Sequence, residues 1–165
     1  MDLQMTKNDC LEKRFTIIRD TREQTGWNWI ASEYCVGTIV TKLDTGDYSL
    51  GGLEDRLCIE RKRSVSEFAT NIVEKRFTRE LERMAEFPVA FLICEFDMYD
   101  IDIYPEGSGI PRRMFNKIKV RRNLILSKLV EIQTKYNIFV NLCGSDVEMA
   151  KQITFSIMRN VWKNQ

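Results

Sequence analysis

The sequence predicts an α/β domain, and three observations carry that expectation. A hairpin signal spans Gly46 to Lys62, a long amphipathic helix follows at about Ser66 to Phe87, and a nearly unbroken apolar run, Val89 to Phe96, comes next. Such a continuous run is the signature of a strand buried on both faces. Hairpin, helix and buried strand in that order make an α/β arrangement with a right-handed crossover. With 165 residues and 44% apolar content, the chain is one domain able to bury a sizeable core.

Residues Met1 to Arg14 are polar and aperiodic, which predicts a flexible tail before a domain spanning 15–165. Phe15 to Arg19 reads as the first strand and ends in Asp20-Thr21-Arg22-Glu23. Acids just past the carboxyl end of a buried strand are placed to meet a ligand, and a capping or turn role for Asp20 is equally common. Trp27 and Trp29 could stack on bases, but tryptophans at a core edge are the commoner arrangement. Val36 to Leu43 reads as another strand and delivers the chain to Asp44-Thr45-Gly46.

The hairpin pairs Asp47 to Leu50 with Leu57 to Lys62 across a Gly51-Gly52 turn. Alternation along a strand sets Cys58, Glu60 and Lys62 on one face and Leu57, Ile59 and Arg61 on the other. Asp47 and Glu60 supply hard oxygens of the kind that hold a divalent cation, and Lys62 lies beside them to act on a water. That set suits phosphodiester cleavage, although a solvated strand-end pair and a turn aspartate produce the same letters.

In the helix at Ser66 to Phe87, Ala69, Val73, Phe77, Leu81 and Met84 form an apolar stripe. Arg76, Arg79 and Arg83 share another face, either gripping phosphates or pairing with Glu80, Glu82 and Glu86. Asp97 to Pro111 is acidic, is punctuated by Pro and Gly, and reads as a mobile surface loop. From Arg112 to Val130 the charge reverses: Arg112, Arg113, Lys117, Lys119, Arg121, Arg122 and Lys128 lie on an expected helix with no acid among them. These cations suit a nucleic-acid backbone, or balance the acidic loop before them. Ile138 to Leu142 is a last strand. Ser145 and Glu148 make a capping box for a final helix whose apolar side carries Val147, Ile153, Ile157 and Val161, with Ala150, Met158 and Trp162 adjacent.

Histidine is absent, which excludes imidazole-based acid–base chemistry, Ser-His-Asp and Cys-His triads, and His-ligated zinc. The five cysteines are odd in number, dispersed and without a Cys-x-x-Cys pair, which predicts free thiols in a reducing compartment, cytoplasmic or, in a eukaryote, nuclear. No apolar run reaches membrane-spanning length, and the polar N-terminus lacks a signal-peptide pattern. A net charge of +1 means that any nucleic-acid contact depends on local clusters.

Taken together, Asp20-Thr21-Arg22-Glu23, Gly46-Asp47-Tyr48 and Glu60-Arg61-Lys62, followed by Arg76-Phe77-Thr78-Arg79-Glu80-Leu81-Glu82-Arg83, resemble the nuclease domain of the XPF/MUS-type structure-specific DNA endonucleases. These belong to the restriction-endonuclease-like, or PD-(D/E)xK, superfamily. The resemblance covers about residues 15 to 163. It implies a restriction-endonuclease-like fold, a central mixed sheet flanked by helices, with Mg²⁺ or Mn²⁺ at the sheet edge. It further implies Asp47 and Glu60 as metal ligands, Asp20 supporting that metal or a second one, and Lys62 acting on the attacking water, with Arg22, Glu23 and Arg61 completing the motif. DNA as substrate, 5′-phosphate and 3′-hydroxyl products, and a homodimer paired through helical surfaces are implied as well. The chain departs from the family in two ways. Ser66, followed by Glu67, stands where an aspartate is usual, and the chain is expected to lack the tandem helix-hairpin-helix domain, resembling compact stand-alone forms of phages and some microbes. A nicking, exonucleolytic or sequence-selective enzyme, or a non-catalytic DNA-binding or dimerisation subunit, are the alternatives.

Overall fold

A computed structural model describes residues 14–165. The expected N-terminal tail, Arg14 apart, lies outside the described residues, as does Cys10. Six strands form one mixed sheet in the order β2-β1-β3-β4-β5-β6: β1 (Phe15–Arg19), β2 (Cys35–Val40), β3 (Tyr48–Leu50), β4 (Leu57–Lys62), β5 (Val89–Cys94) and β6 (Phe139–Leu142). β3 is antiparallel to β1 and β4, while β1/β2, β4/β5 and β5/β6 are parallel. Helices α1 (Val65–Asn71), α2 (Lys75–Met84), α3 (Met98–Ile103), α4 (Arg122–Tyr136) and α5 (Val147–Lys163) complete the fold. No helix among the described residues is long and apolar enough to cross a membrane.

Strand alternation divides the interior into two cores. Cys58, Leu92 and Cys94 face Phe68, Phe77, Leu81, Ile125 and Leu129 of the helices on one side. On the other, Ile17, Tyr48, Leu50, Leu57, Ile59 and Ile93 meet Ala150 and Met158 of α5. Trp27 belongs to this second core, stacked on Tyr48 at 5.5 Å, and Trp29 meets the same tyrosine edge-on at 5.6 Å. Cys35, Cys58, Cys94 and Cys143 are free thiols, the first three buried.

Several expectations are corrected. The single helix at Ser66 to Phe87 is two, because Glu74 is extended at φ −92° and ψ 132°, and its N–H turns back to the Asn71 carbonyl at 2.9 Å. Asn71 and Val73 are weak helix formers. The break leaves Val73 63% exposed and brings Phe68 and Phe77 edge to face at 6.0 Å, so the continuous stripe does not exist. The strand expected at Val36 to Leu43 stops at Val40, since Leu43 gives its N–H to Asp20 at 2.6 Å and its carbonyl to Arg22 at 2.9 Å rather than to a ladder.

The loop expected at Asp97 to Pro111 contains α3, nucleated where Asp97 accepts from the N–H groups of Tyr99 and Asp100, and the Asp100 carboxylate accepts the Asp97 N–H in return. The cations from Arg112 onward do not share one helix. Arg112–Lys117 is a 3₁₀ segment, and α4 begins at Arg122. Asp146, not Ser145, caps α5 by accepting from the N–H groups of Glu148 and Met149. The buried ridge of α5 is Ala150, Thr154 and Met158, while Val147 and Ile153 are partly open to solvent.

Candidate active site

The end of β4 reaches a cavity of about 310 Å³ whose lining includes Asp47, Glu60, Lys62, Glu67, Asn71 and Glu80. β4 is buried along its whole length, so alternation translates directly into placement: Glu60 and Lys62 open on the α1/α2 side and Arg61 points to the other. Asp47 reaches the same place from the start of the hairpin. Its own N–H donates to the Ile59 carbonyl at 2.8 Å, and its Oδ2 accepts the Arg61 N–H at 2.8 Å. Gly46, at φ +82°, makes this approach possible, because a Cβ there would stand 2.7 Å from Cys58 Sγ and 3.0 Å from the Ile59 carbonyl oxygen.

Two acids in one secluded cavity cannot both ionise at ordinary cost. Burial pushes the Asp47 carboxyl up to about 7, against the hydrogen bond from Arg61, with the charge of Glu23 adding to the rise. Burial and then the Asp47 charge raise Glu60 well above the usual carboxylate range, although Lys62 opposes them. Burial works against the Lys62 ammonium too, yet Glu60 and Glu80 outweigh it and hold Lys62 above the ordinary lysine value. Lys62 Nζ donates to Glu60 Oε1 at 2.7 Å and lies 5.0 Å from the centre of the Phe77 ring.

A divalent cation fits this donor set. Asp47 Oδ1 and Glu60 Oε2 are hard oxygens that accept no hydrogen bond among the described residues, and burial makes both acids costly to ionise without a cation. No group of three or more Asp, Glu or Cys side chains among the described residues converges as a ready-made cage. A cation here would therefore draw on two carboxylates and complete its shell with water and phosphate oxygen, the usual habit of Mg²⁺.

Asp20 stands apart from this pair. It is 1% exposed and does not line the cavity. Its Oδ1 accepts from the backbone N–H and Nε of Arg22 at 2.8 and 2.6 Å, and its Oδ2 from the Leu43 N–H at 2.6 Å. Burial would raise its pKa, but those donors outweigh burial and hold it low. Arg22 and Glu23 line the cavity. Arg61 pairs with Glu95 at 2.7 Å and Glu23 at 3.2 Å, donates to the Thr25 carbonyl at 3.0 Å, and lies 4.4 Å over the Trp27 ring, so it ties the loop after β1 to the sheet.

Of the arginine row, Arg76 and Arg83 line the cavity and Arg79 does not. None of Arg112, Arg113, Lys117, Lys119, Arg121 and Arg122 lines it. Arg112 pairs with Glu106 at 3.3 Å, Arg122 with Asp102, and Arg121 donates to the Phe115 carbonyl at 2.9 Å. The side chains of Arg113, Lys117 and Lys119 are exposed and have no hydrogen-bond or ion-pair partner among the described residues. The sequence offers Glu80 only as a pairing partner of the arginine row, and it does not mark Glu95 at all. Spacing of four from Arg76 and three from Phe77 puts Glu80 on the cavity side of α2, a signal the arginine pattern masked, whereas nothing local marks Glu95.

The profile of the family described as ERCC4 domain matches residues 19–155. Among solved structures the chain is similar to XPF from Aeropyrum pernix, with 22% identity and a TM-score of 0.60 over 88% of this chain and 64% of that one. It is also similar to XPF from Aeropyrum pernix in complex with DNA, with 19% identity and a TM-score of 0.61 over 92% and 66%. The chain thus spans about two thirds of the length of the solved chains it matches. No curated protein matches it. The mixed sheet with helices on both faces has the restriction-endonuclease-like fold.

Proposed function

The chain belongs to the ERCC4 domain family, and on that premise we propose that it is a divalent-metal-dependent endonuclease that hydrolyses phosphodiester bonds of branched or flapped DNA in repair or recombination. The observation that carries this reading is the convergence of Asp47, Glu60 and Lys62 in one polar cavity with an oxygen of each acid free. Asp47 Oδ1 and Glu60 Oε2 would hold Mg²⁺ or Mn²⁺. When bound, the cation supplies Lewis acidity to the phosphoryl group and acidifies a water. Lys62, charged and aimed into the cavity, offsets phosphate charge and orients that water. Asp20 braces the approach to Asp47: it grips Leu43, and its N–H donates to the Asp47 carbonyl at 2.8 Å. The exposed guanidinium groups of Arg22, Arg76 and Arg83 rim the cavity and suit backbone phosphates on either side of the scissile bond.

A homodimer is part of the proposal. An apolar groove of about 580 Å³, lined by Leu53, Val89, Phe91, Ile153, Ile157 and Val161, lies between α5 and the sheet, and Phe139 on the edge strand β6 is 54% exposed. Apolar surface of this kind suits a subunit contact, and sedimentation showing only monomer at working concentration would reject it.

The test is a panel of duplex, single-stranded, flap and fork DNA incubated with wild type, Glu60→Ala and Lys62→Ala, with and without Mg²⁺ or Mn²⁺. Wild type should cut flap or fork DNA only with metal, and each variant should lose at least about a hundredfold in rate with its circular dichroism unchanged. Binding without cleavage of any substrate would instead identify a non-catalytic subunit.

A further inference from the structure

In this structure Lys62 is held by the carboxylate that a cation would need. Its buried ammonium sits 2.7 Å from Glu60 Oε1, with the Phe77 ring of α2 at 5.0 Å. Once the charge of Glu60 is committed to a divalent cation, that hold weakens, and a buried ammonium without an acceptor is costly. Glu80 lies one turn beyond Phe77 on α2 and lines the same cavity. It is half-buried and flanked at i−4 and i+3 by Arg76 and Arg83. Neither guanidinium comes within 4 Å of its carboxylate: Arg76 turns to Glu74 at 3.8 Å, and the Glu80 carboxylate makes no hydrogen bond or ion pair among the described residues. A carboxylate kept clear of two neighbouring arginines therefore faces the cavity into which Lys62 opens.

The geometry points to Glu80 as the positioning residue of Lys62: when Glu60 turns to a divalent cation, Glu80 takes over the ammonium and keeps it in the cavity. This inference rests on the nuclease reading above. The exchange breaks no covalent bond: the ammonium keeps its protons and changes its acceptor, while a proton held on the Asp47 and Glu60 pair leaves to solvent as the cation binds. Glu80 acts through Lys62 and is not itself a metal ligand, in keeping with the absence of a three-carboxylate cluster among the described residues.

The test follows the side-chain ammonium resonance of Lys62 in ¹⁵N-lysine-labelled protein, without DNA, as Mg²⁺ is added. In wild type the signal should shift and persist. In Glu80→Ala it should be present without Mg²⁺, because Glu60 still holds the ammonium, and broaden beyond detection with it. Glu80→Gln should keep the signal, since the amide oxygen accepts a hydrogen bond; Glu80→Leu, which keeps the bulk without an acceptor, should lose it with Mg²⁺ and carries the test should the alanine variant not fold. In cleavage assays Glu80→Ala should lose about tenfold in kcat with the half-saturating Mg²⁺ concentration unchanged. A signal that persists equally in Glu80→Ala, or that Mg²⁺ leaves unmoved in wild type, overturns the inference. Wild-type protein that cuts nothing while its Lys62 signal behaves as stated sinks the nuclease reading and leaves the exchange standing.

Discussion

The Arg61 backbone N–H donates to Asp47 Oδ2 across 2.8 Å, so the acid that opens the hairpin is fastened to the strand that closes it, beside Glu60. The fold holds these two acids together at a cost, because burial pushes Asp47 up to about 7 from the usual 3.8. Between those values the folded chain keeps a proton that the unfolded chain has lost, so stability falls as pH rises through that window and stays low above it. Asp47→Asn, whose amide oxygen still accepts from Arg61, should therefore stabilise the protein by about 1–3 kcal/mol at pH 8 without divalent cation. The gain should shrink towards pH 5. Urea titrations at the two pH values check this, and Mg²⁺ should stabilise wild type but not the variant.

Arg61 is buried, and Glu95 is its nearest acid, at 2.7 Å and itself buried. Glu95→Ala should cost about 3 kcal/mol, the low end of the penalty for breaking a buried pair, because Glu23 still faces Arg61 at 3.2 Å. Glu95→Gln should cost less, because its amide oxygen can still accept from Nε. Denaturant unfolding gives the energies, and tryptophan fluorescence should report loosening around Trp27, which lies beneath the Arg61 guanidinium.

Gly46 and Gly52 share a left-handed backbone, at φ +82° and +83°, but not the same surroundings. Gly46→Ala adds the clash with Cys58 Sγ to the backbone strain and should cost about 2–4 kcal/mol. By displacing Asp47 it should also depress cleavage. Gly52→Ala meets nothing within 4 Å and should cost only about 1 kcal/mol, with cleavage unchanged.

The exposed cations Arg113, Lys117 and Lys119 lie outside the cavity and are expected to contact the DNA backbone. Neutralising each should weaken DNA binding about equally across sequences and lower the slope of log affinity against log salt by roughly 1. The rate at saturating DNA should not change. A salt slope that does not move in the triple variant would exclude this segment from the interface.

Local chemistry made much of the site legible. Alternation along Leu57 to Lys62 needs only backbone geometry, and the hairpin keeps Asp47 near Glu60 across a short loop, so both appear in the letters. The break at Ile72 to Glu74 does not, because helical spacing continues across it and the weak helix formers Asn71 and Val73 are a faint signal beside the distant packing of Phe68 on Phe77. Asp20 shows the same limit. An acid after a strand reads as ligand or cap alike, and the Leu43 N–H that occupies its Oδ2 comes from 23 residues away.

By itself the sequence determined the α/β class, the hairpin, the exclusion of imidazole chemistry and the pairing of Glu60 with Lys62 on one strand face, since each follows from composition or from contacts a few residues apart. Tertiary structure alone decided that Arg61 meets Glu95, that Glu80 looks into the cavity of Lys62, and that the cations after Pro111 lie away from it. Those arrangements join residues distant along the chain, and their energies depend on which surfaces the folded sheet and helices bring together.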